Sequence, residues 1–283
     1  MYKYLCLLSC LVTLKYISCN QIEKHNANET WEILIFVQRW LQTACVVWKQ
    51  TNINHTCAFP SEENSWNVHG IWPNKIGKKE GPNFCNKSIS FDENELQPIK
   101  NDLEQYWMNI ENNTGNDSLW KHEWLKHGSC CSLLPSLNKE LTYFGQGLKW
   151  LEEFNMTDIL ASKNIVPNNV NGYNVTTIHQ AIVDTLDKGP MIQCDTEKST
   201  KHSLLIEIRI CFNKTLHLVD CSILKNGTGQ GLLTNCDLKK EVFYLDGKSA
   251  TLTAINKKKE QELQYSKLLS IYKVLQFLIW ITL

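Results

Sequence analysis

The sequence predicts a chain of mixed α and β structure, held by disulfides and built for export. Ile33–Trp40 and Leu204–Phe212 are apolar, β-branched runs of strand length. Asp92–Asn109, Lys139–Leu160 and Thr177–Leu186 carry apolar residues at the three-to-four spacing of a helix. An apolar leader and twelve cysteines point to an oxidising compartment, where cysteines pair.

The leader runs from Met1 to Cys19. Lys3 supplies its charge, Leu5–Leu14 its apolar stretch, and Ser18 or Cys19 the small residue before cleavage. Lys15 leaves the cleavage point open, and the run is too short to span a bilayer, so residues 1–19 read as a signal peptide. Nine cysteines remain beyond it: Cys45, Cys57, Cys85, Cys130, Cys131, Cys194, Cys211, Cys221 and Cys236. An odd number leaves one unpaired, with Cys130/Cys131 the obvious source; spacing does not set the connectivity. Nine glycosylation sequons fit the same compartment, at Asn28, Asn54, Asn86, Asn112, Asn116, Asn155, Asn174, Asn213 and Asn226.

The 283 residues suit one large domain or two small ones. Lys plus Arg (29) equals Asp plus Glu (29). That balance excludes a protein that grips long nucleic acid mainly through its phosphates; any such contact must be short and local.

Taken in order, Ile33–Trp40 is a buried strand interrupted by the polar Gln38. Cys45 to Cys57 can close a loop around Asn54. Ser65–Asn74 contains a strand-like run with His69, a Gly70 that permits close backbone approach, and a rigid Trp72-Pro73 exit. Lys75–Asn83 is a loop. In Asp92–Asn109 the helix proper starts at or just before Pro98. Asn112–Asp117 is a polar loop. Lys139–Leu160 is helical with a break expected near Gly145–Gly147, and Thr177–Leu186 is a further helix. Leu216–Cys221 is the hairpin partner of Leu204–Phe212, clipped by Cys211 and Cys221. The tail, 247–283, starts basic at Lys257–Lys259 and ends apolar at Val274–Leu283. It reads first as a terminal helix packed on the domain or on a membrane interface, and second as a cleaved glycolipid-anchor signal.

The densest chemistry lies in Trp120-Lys121-His122-Glu123-Trp124-Leu125-Lys126-His127-Gly128-Ser129-Cys130-Cys131. At ~100° per residue, His122, Lys126, Glu123 and His127 fall at roughly 0°, 40°, 100° and 140° of a helix. They share a face that can move protons and hold an anion, with Gly128 as a helix stop. A zinc site of the zincin type needs histidines at i and i+4 around a Glu. Here Lys126 occupies i+4, and a cation between ligands argues against a metal. The plain alternative is a solvated charged face.

Val68-His69-Gly70-Ile71-Trp72-Pro73 and the stretch from Trp120 to Cys130 together resemble the two active-site segments of the ribonuclease T2 family. Phe36–Trp40 resembles the family's first core strand. Tyr143-Phe144, Ile192-Gln193-Cys194 and Cys211/Cys221 extend the likeness over roughly residues 31 to 236. The resemblance implies an α+β fold with an antiparallel β-sheet core and packed helices, within a catalytic domain at 20–246. It implies bridges Cys45–Cys57, Cys85–Cys130, Cys194–Cys236 and Cys211–Cys221, leaving Cys131 free. It also implies cleavage of single-stranded RNA through a 2′,3′-cyclic phosphate, without metal or other cofactor.

That reaction needs a base for the 2′-hydroxyl, an acid for the departing 5′-oxygen, and positive charge near the phosphoryl oxygens. By analogy His127 is the base and His69 the acid, though the order can be reversed. Lys126 and His122 stabilise the transition state, and Glu123 orients or tunes a histidine. Trp72 stacks on a base, Asn74 hydrogen-bonds a base edge, and Gln38 matches a position near the second base. Leu41, where the family often has proline, and the extra Cys131 depart from the pattern. The expected protein is a secreted or endolysosomal monomer. The competing reading is a glycoprotein signal, cytotoxin or immune modulator acting through a cell-surface or glycan receptor, with cleavage secondary or lost.

Overall fold

The structure is a computed structural model that describes residues 31–61, 64–78, 80–225, 231–247 and 265–273. The signal segment, Asn28, Asn226, Lys257–Lys259 and Val274–Leu283 lie outside the described residues.

Strand β1 (Ile33–Trp40) is the central reference. It pairs antiparallel with β2 (Trp66–Asn74) on one side and β4 (Ser203–Phe212) on the other. Strand β3 (Met191–Thr196) continues the sheet antiparallel to β4. Three two-residue strands complete it: β5 (Leu218–Val219) antiparallel to β4, β6 (Leu233–Thr234) parallel to β3, and β7 (Val242–Phe243) parallel to β4. The sheet is therefore mixed at its short strands; the antiparallel order holds for the long ones. β1 is buried on both faces, which explains its unbroken apolar run. Leu34, Phe36 and Trp40 join the large core on the helical side. Ile33, Ile35 and Val37 meet Cys211, Cys221 and Leu233 on the other.

The helices are α1 (Leu41–Lys49), α2 (Lys100–Tyr106), α3 (Asn116–Glu123), α4 (Glu140–Glu153), α5 (Met156–Ala161) and α6 (Val175–Leu186). Leu41 opens α1 directly after β1; the first helical position suits proline and does not require it. The expected helix at Asp92–Asn109 is shorter and split. Asp92 caps a 3-10 turn, Glu93–Ile99, that holds Pro98, and the α-helix ends at Tyr106. The break expected at Gly145–Gly147 is absent, because α4 runs through both and ends before Phe154. A Cβ on Gly147 would lie 2.3 Å from Trp107 Cζ3, so this glycine admits an indole.

Gly128 does not stop its helix. α3 continues as a π-helical turn over Trp124–Gly128 and one more turn over Ser129–Cys131, with Ser129 N–H donating to Trp124 O. A Cβ on Gly128 would lie 2.2 Å from Trp124 Cε3, so the position is small to admit that ring.

All four implied disulfides are present: Cys45–Cys57, Cys85–Cys130, Cys194–Cys236 and Cys211–Cys221. Cys131 is buried and free, and desolvation pushes its thiol pKa up. Asn54, Asn86, Asn112, Asn155 and Asn174 are exposed; Asn116 and Asn213 are half-buried. Residues 265–273 form a helix exposed at every position, so this part of the tail is not packed on the domain. Among the described residues no helix is long and apolar enough to cross a membrane.

Candidate active site

His69 sits where β2 breaks register with β1. Val37 pairs with Gly70 and Gln38 with Val68, so His69 is the extra residue of a β-bulge. Bulges bend a strand and re-aim a side chain. Here the bulge switches the phase of β2. Trp66 and Val68 face the main core before it, Ile71 faces that core after it, and Trp72 joins the cluster on the opposite face. The buried Trp107 ties strand to helix, its Nε1 donating to His69 O at 3.1 Å and its carbonyl accepting from Trp120 Nε1 at 2.7 Å.

Trp120 and Trp124 face the core and leave His122, Glu123, Lys126 and His127 on the wall of a cavity of about 260 Å3. His69, Trp72, Asn74 and Arg209 line the facing side. A second cavity of about 320 Å3 shares His69, His122 and Glu123 and adds Arg39, Asn109 and Ile110. Two lobes thus meet at the same three side chains.

Within the cleft, Trp72 Nε1 donates to Glu123 Oε2 at 2.8 Å. The Trp72 ring stacks on His127 at 5.2 Å between centroids, meets His69 edge-on at 4.9 Å, and has the Arg209 guanidinium 5.1 Å from its centre. His69 Nε2 lies 3.8 Å from Glu123 Oε1, and its Nδ1 lies 2.7 Å from Glu207 Oε1. Gly70 allows this closeness, since a Cβ there would stand 2.2 Å from Glu123 Oε2 and 2.3 Å from Trp72 Nε1.

Burial sets the charges. Desolvation, helped by Arg39, lowers His69 from 6.5 to about 4, against the opposing pull of Glu207. Desolvation, then Lys126, lowers His127 to about 3. His122 is lowered by the same two causes. Desolvation raises the Glu123 carboxyl to about 8, although the Trp72 bond and the nearby Arg39 and Lys126 favour its ionised form. The empty cleft at neutral pH therefore holds neutral imidazoles and a protonated carboxyl beside fixed cations. An entering anion favours imidazolium and so brings protons to the site. Among the described residues no cluster of three or more His, Cys, Asp or Glu side chains is placed to hold a metal ion.

The structure thus brings together His69, Trp72, Asn74, His122, Glu123, Lys126 and His127. Asn74 Oδ1 accepts from Lys75 N, which anchors the end of β2. Gln38 is not among them. It faces the helical core, fully buried, with Nε2 donating to Phe154 O at 2.8 Å. Its neighbour Arg39 points the other way, because side chains alternate along a strand, and reaches the cleft instead. Sequence reasoning passed over Arg39, Glu207 and Arg209. The available signal was the charged pair at i and i+2 in the apolar run Leu-Leu-Ile-Glu-Ile-Arg-Ile-Cys-Phe, which puts both charges on one face.

This fold and cleft define a disulfide-bridged α+β enzyme. The model of the Ribonuclease T2 family matches residues 31–221. Ribonuclease Oy of Magallana gigas is 36% identical over 216 residues, covering 76% of this chain and 96% of that relative. Ribonuclease T2 of Sus scrofa is 32% identical over 194 residues, covering 68% and 89%. The crystal structure of human RNase T2 superposes with a TM-score of 0.61 at 28% identity, covering 76% of this chain and 98% of that one. RNase NT in complex with 5'-AMP gives the same TM-score at 25% identity, with coverage of 76% and 98%. The chain belongs to the ribonuclease T2 family, and it is an endoribonuclease.

Proposed function

We propose that this enzyme cuts single-stranded RNA by in-line attack of a ribose 2′-hydroxyl on the adjacent phosphorus. The carrying observation is that His69, His122, Glu123, Lys126 and His127 line one cavity. His127 takes the 2′-hydroxyl proton as the P–O bond to the 2′-oxygen forms. His69 gives a proton to the 5′-oxygen as its bond to phosphorus breaks, leaving a 2′,3′-cyclic phosphate. Lys126 and His122 hold the phosphoryl oxygens as negative charge builds. Glu123, held by Trp72, tunes both imidazoles. The two lobes leave room for a nucleotide on each side of the phosphate, and RNase NT binds a mononucleotide. Trp72 and Asn74 meet the base on their side.

The depressed imidazoles favour an acidic optimum. A phosphate monoanion raises them in the complex, so the pH profile of kcat lies to higher pH than that of kcat/KM. Four disulfides and five exposed sequons support export to an oxidising compartment.

The test is a digest of single-stranded RNA by purified protein, with and without chelator, followed by 31P NMR for the cyclic phosphate. Cleavage unaffected by chelator, and lost by about 10²-fold or more in His69→Ala and His127→Ala, is expected. Full cleavage by His127→Ala, or a rate flat from about pH 4 to 9, refutes the two-histidine reading.

A further inference from the structure

Behind His69 lies a second carboxylate, Glu207 on β4. It is almost fully buried and tied at both oxygens. Oε1 accepts from Arg39 Nη2 at 3.0 Å and Nε at 3.2 Å, and from His69 Nδ1 at 2.7 Å. Oε2 accepts from Arg209 Nη2 at 2.6 Å and Nε at 3.0 Å. The sheet fixes this arrangement, because Arg39 pairs with Glu207 and Val37 with Arg209 in the β1–β4 register. We propose that Glu207 is a positioning residue for His69, fixing the Nδ1–H tautomer and the heading of the ring so that Nε2 faces Glu123 and the cleft. The proposal rests on the reading of His69 as proton donor.

The chemistry of the contacts supports it. An ionised carboxylate only accepts, so the ring nitrogen 2.7 Å away must carry hydrogen. That leaves Nε2 as the atom that gains and loses the working proton. His69 needs such a hold because its backbone belongs to a bulge, where the ladder leaves the residue unpaired. Arg39 acts against Glu207. Its Nη2 lies 2.8 Å from Nε2, and a guanidinium, which only donates, suits a ring nitrogen with a free lone pair. Glu207 therefore favours imidazolium, and the arginines favour neutral imidazole.

The groups facing His69 are Arg39 from β1, Glu207 and Arg209 from β4, and Glu123 and His127 from the helix. A change at either end of the Glu207–Arg209 pair must move His69 in opposite directions. Glu207→Gln keeps the shape and an acceptor oxygen but removes the negative charge. Arg209→Gln removes a positive charge.

The experiment measures kcat and KM against pH on a dinucleoside monophosphate, with 15N NMR of the His69 ring, for the wild type, Glu207→Gln, Arg209→Gln and His69→Ala. In Glu207→Gln the high-pH limb of kcat/KM is expected to move acidward by about one unit or more, the scale of an opposite charge at this range. Away from the optimum kcat falls while KM changes little. In Arg209→Gln the limb is expected to move to higher pH. The wild-type ring is expected to show hydrogen on Nδ1. Unchanged limbs in both variants, or a neutral wild-type ring protonated at Nε2, overturn the role of Glu207 even if His69 is catalytic. Wild-type rates in His69→Ala overturn the reading of His69 itself. If Glu207→Gln does not fold, the direction of the Arg209→Gln shift and the wild-type tautomer decide.

Discussion

Gly70→Ala adds one methyl group at the most crowded point of the cleft. The new Cβ would stand 2.2 Å from Glu123 Oε2 and 2.3 Å from Trp72 Nε1, the two atoms that share the 2.8 Å hydrogen bond. Carbon needs roughly 3.5 Å from such neighbours, so both side chains must retreat by about 1 Å. Neither is a flexible surface group, because Glu123 is buried and Trp72 is packed against His127 and Arg209. Overpacking of this kind costs about 1–3 kcal/mol. About 2 kcal/mol corresponds to a fall in Tm of about 4–8 °C for a domain of this size. The effect on rate is the larger one. The displaced pair lies between His69 and His127, and a 1 Å misplacement of reacting groups costs about 10²-fold. The assay is thermal unfolding followed by circular dichroism, with steady-state RNA cleavage on the same preparation. A Gly70→Ala protein with unchanged Tm and kcat would refute the claim that Trp72 and Glu123 are locked against β2.

Two further outcomes follow from the packing and the charges. In α4, Gly147→Ala is expected to destabilise by about 1–3 kcal/mol because its Cβ meets the hydrogen-bonded Trp107 ring; Gly145→Ala, with nothing within 4 Å, is expected to stabilise by about 0.5–1 kcal/mol, and chemical denaturation of the two variants checks the opposite signs. His127 titrates near 3 when folded and 6.5 when unfolded, so its contribution to stability is whole above about pH 6.5 and is lost as the pH falls from there toward 3, where the unfolded chain takes up the proton first; the Tm of His127→Asn is therefore expected to fall less steeply with acid than that of the wild type.

Much of this was legible in the residues, for identifiable reasons. β1 was found with its boundaries because a strand buried on both faces reads as an unbroken apolar run. The reactive helix was found because four functional side chains crowd into six positions. Its π turn was not, since ordinary helical counting already placed all four on one face. Gly128 and Gly147 were misread as breaks because a sequence shows a missing side chain and not the indole that fills the space. β6 and β7 are two residues each, too short for any alternation to register. Gln38 drew attention as the polar residue of β1, yet the strand turns Arg39 toward the cleft. Glu207 and Arg209 lay in an apolar strand whose alternation reads less cleanly across the bulge between Gln193 and Cys194 of β3.

The π turn has a consequence for length. Trp124–Gly128 closes with a bond from residue 129 to residue 124, one more residue than an α-turn spans. Deleting a single residue there would restore ordinary winding and rotate everything beyond it by about 100° relative to Glu123. Cys130 would then turn away from Cys85, and the group retained at the Lys126–His127 end would leave the cleft. One surplus residue thus sets the phase of both the proton-moving face and the covalent staple. In this helix a deletion is expected to do more harm than most substitutions.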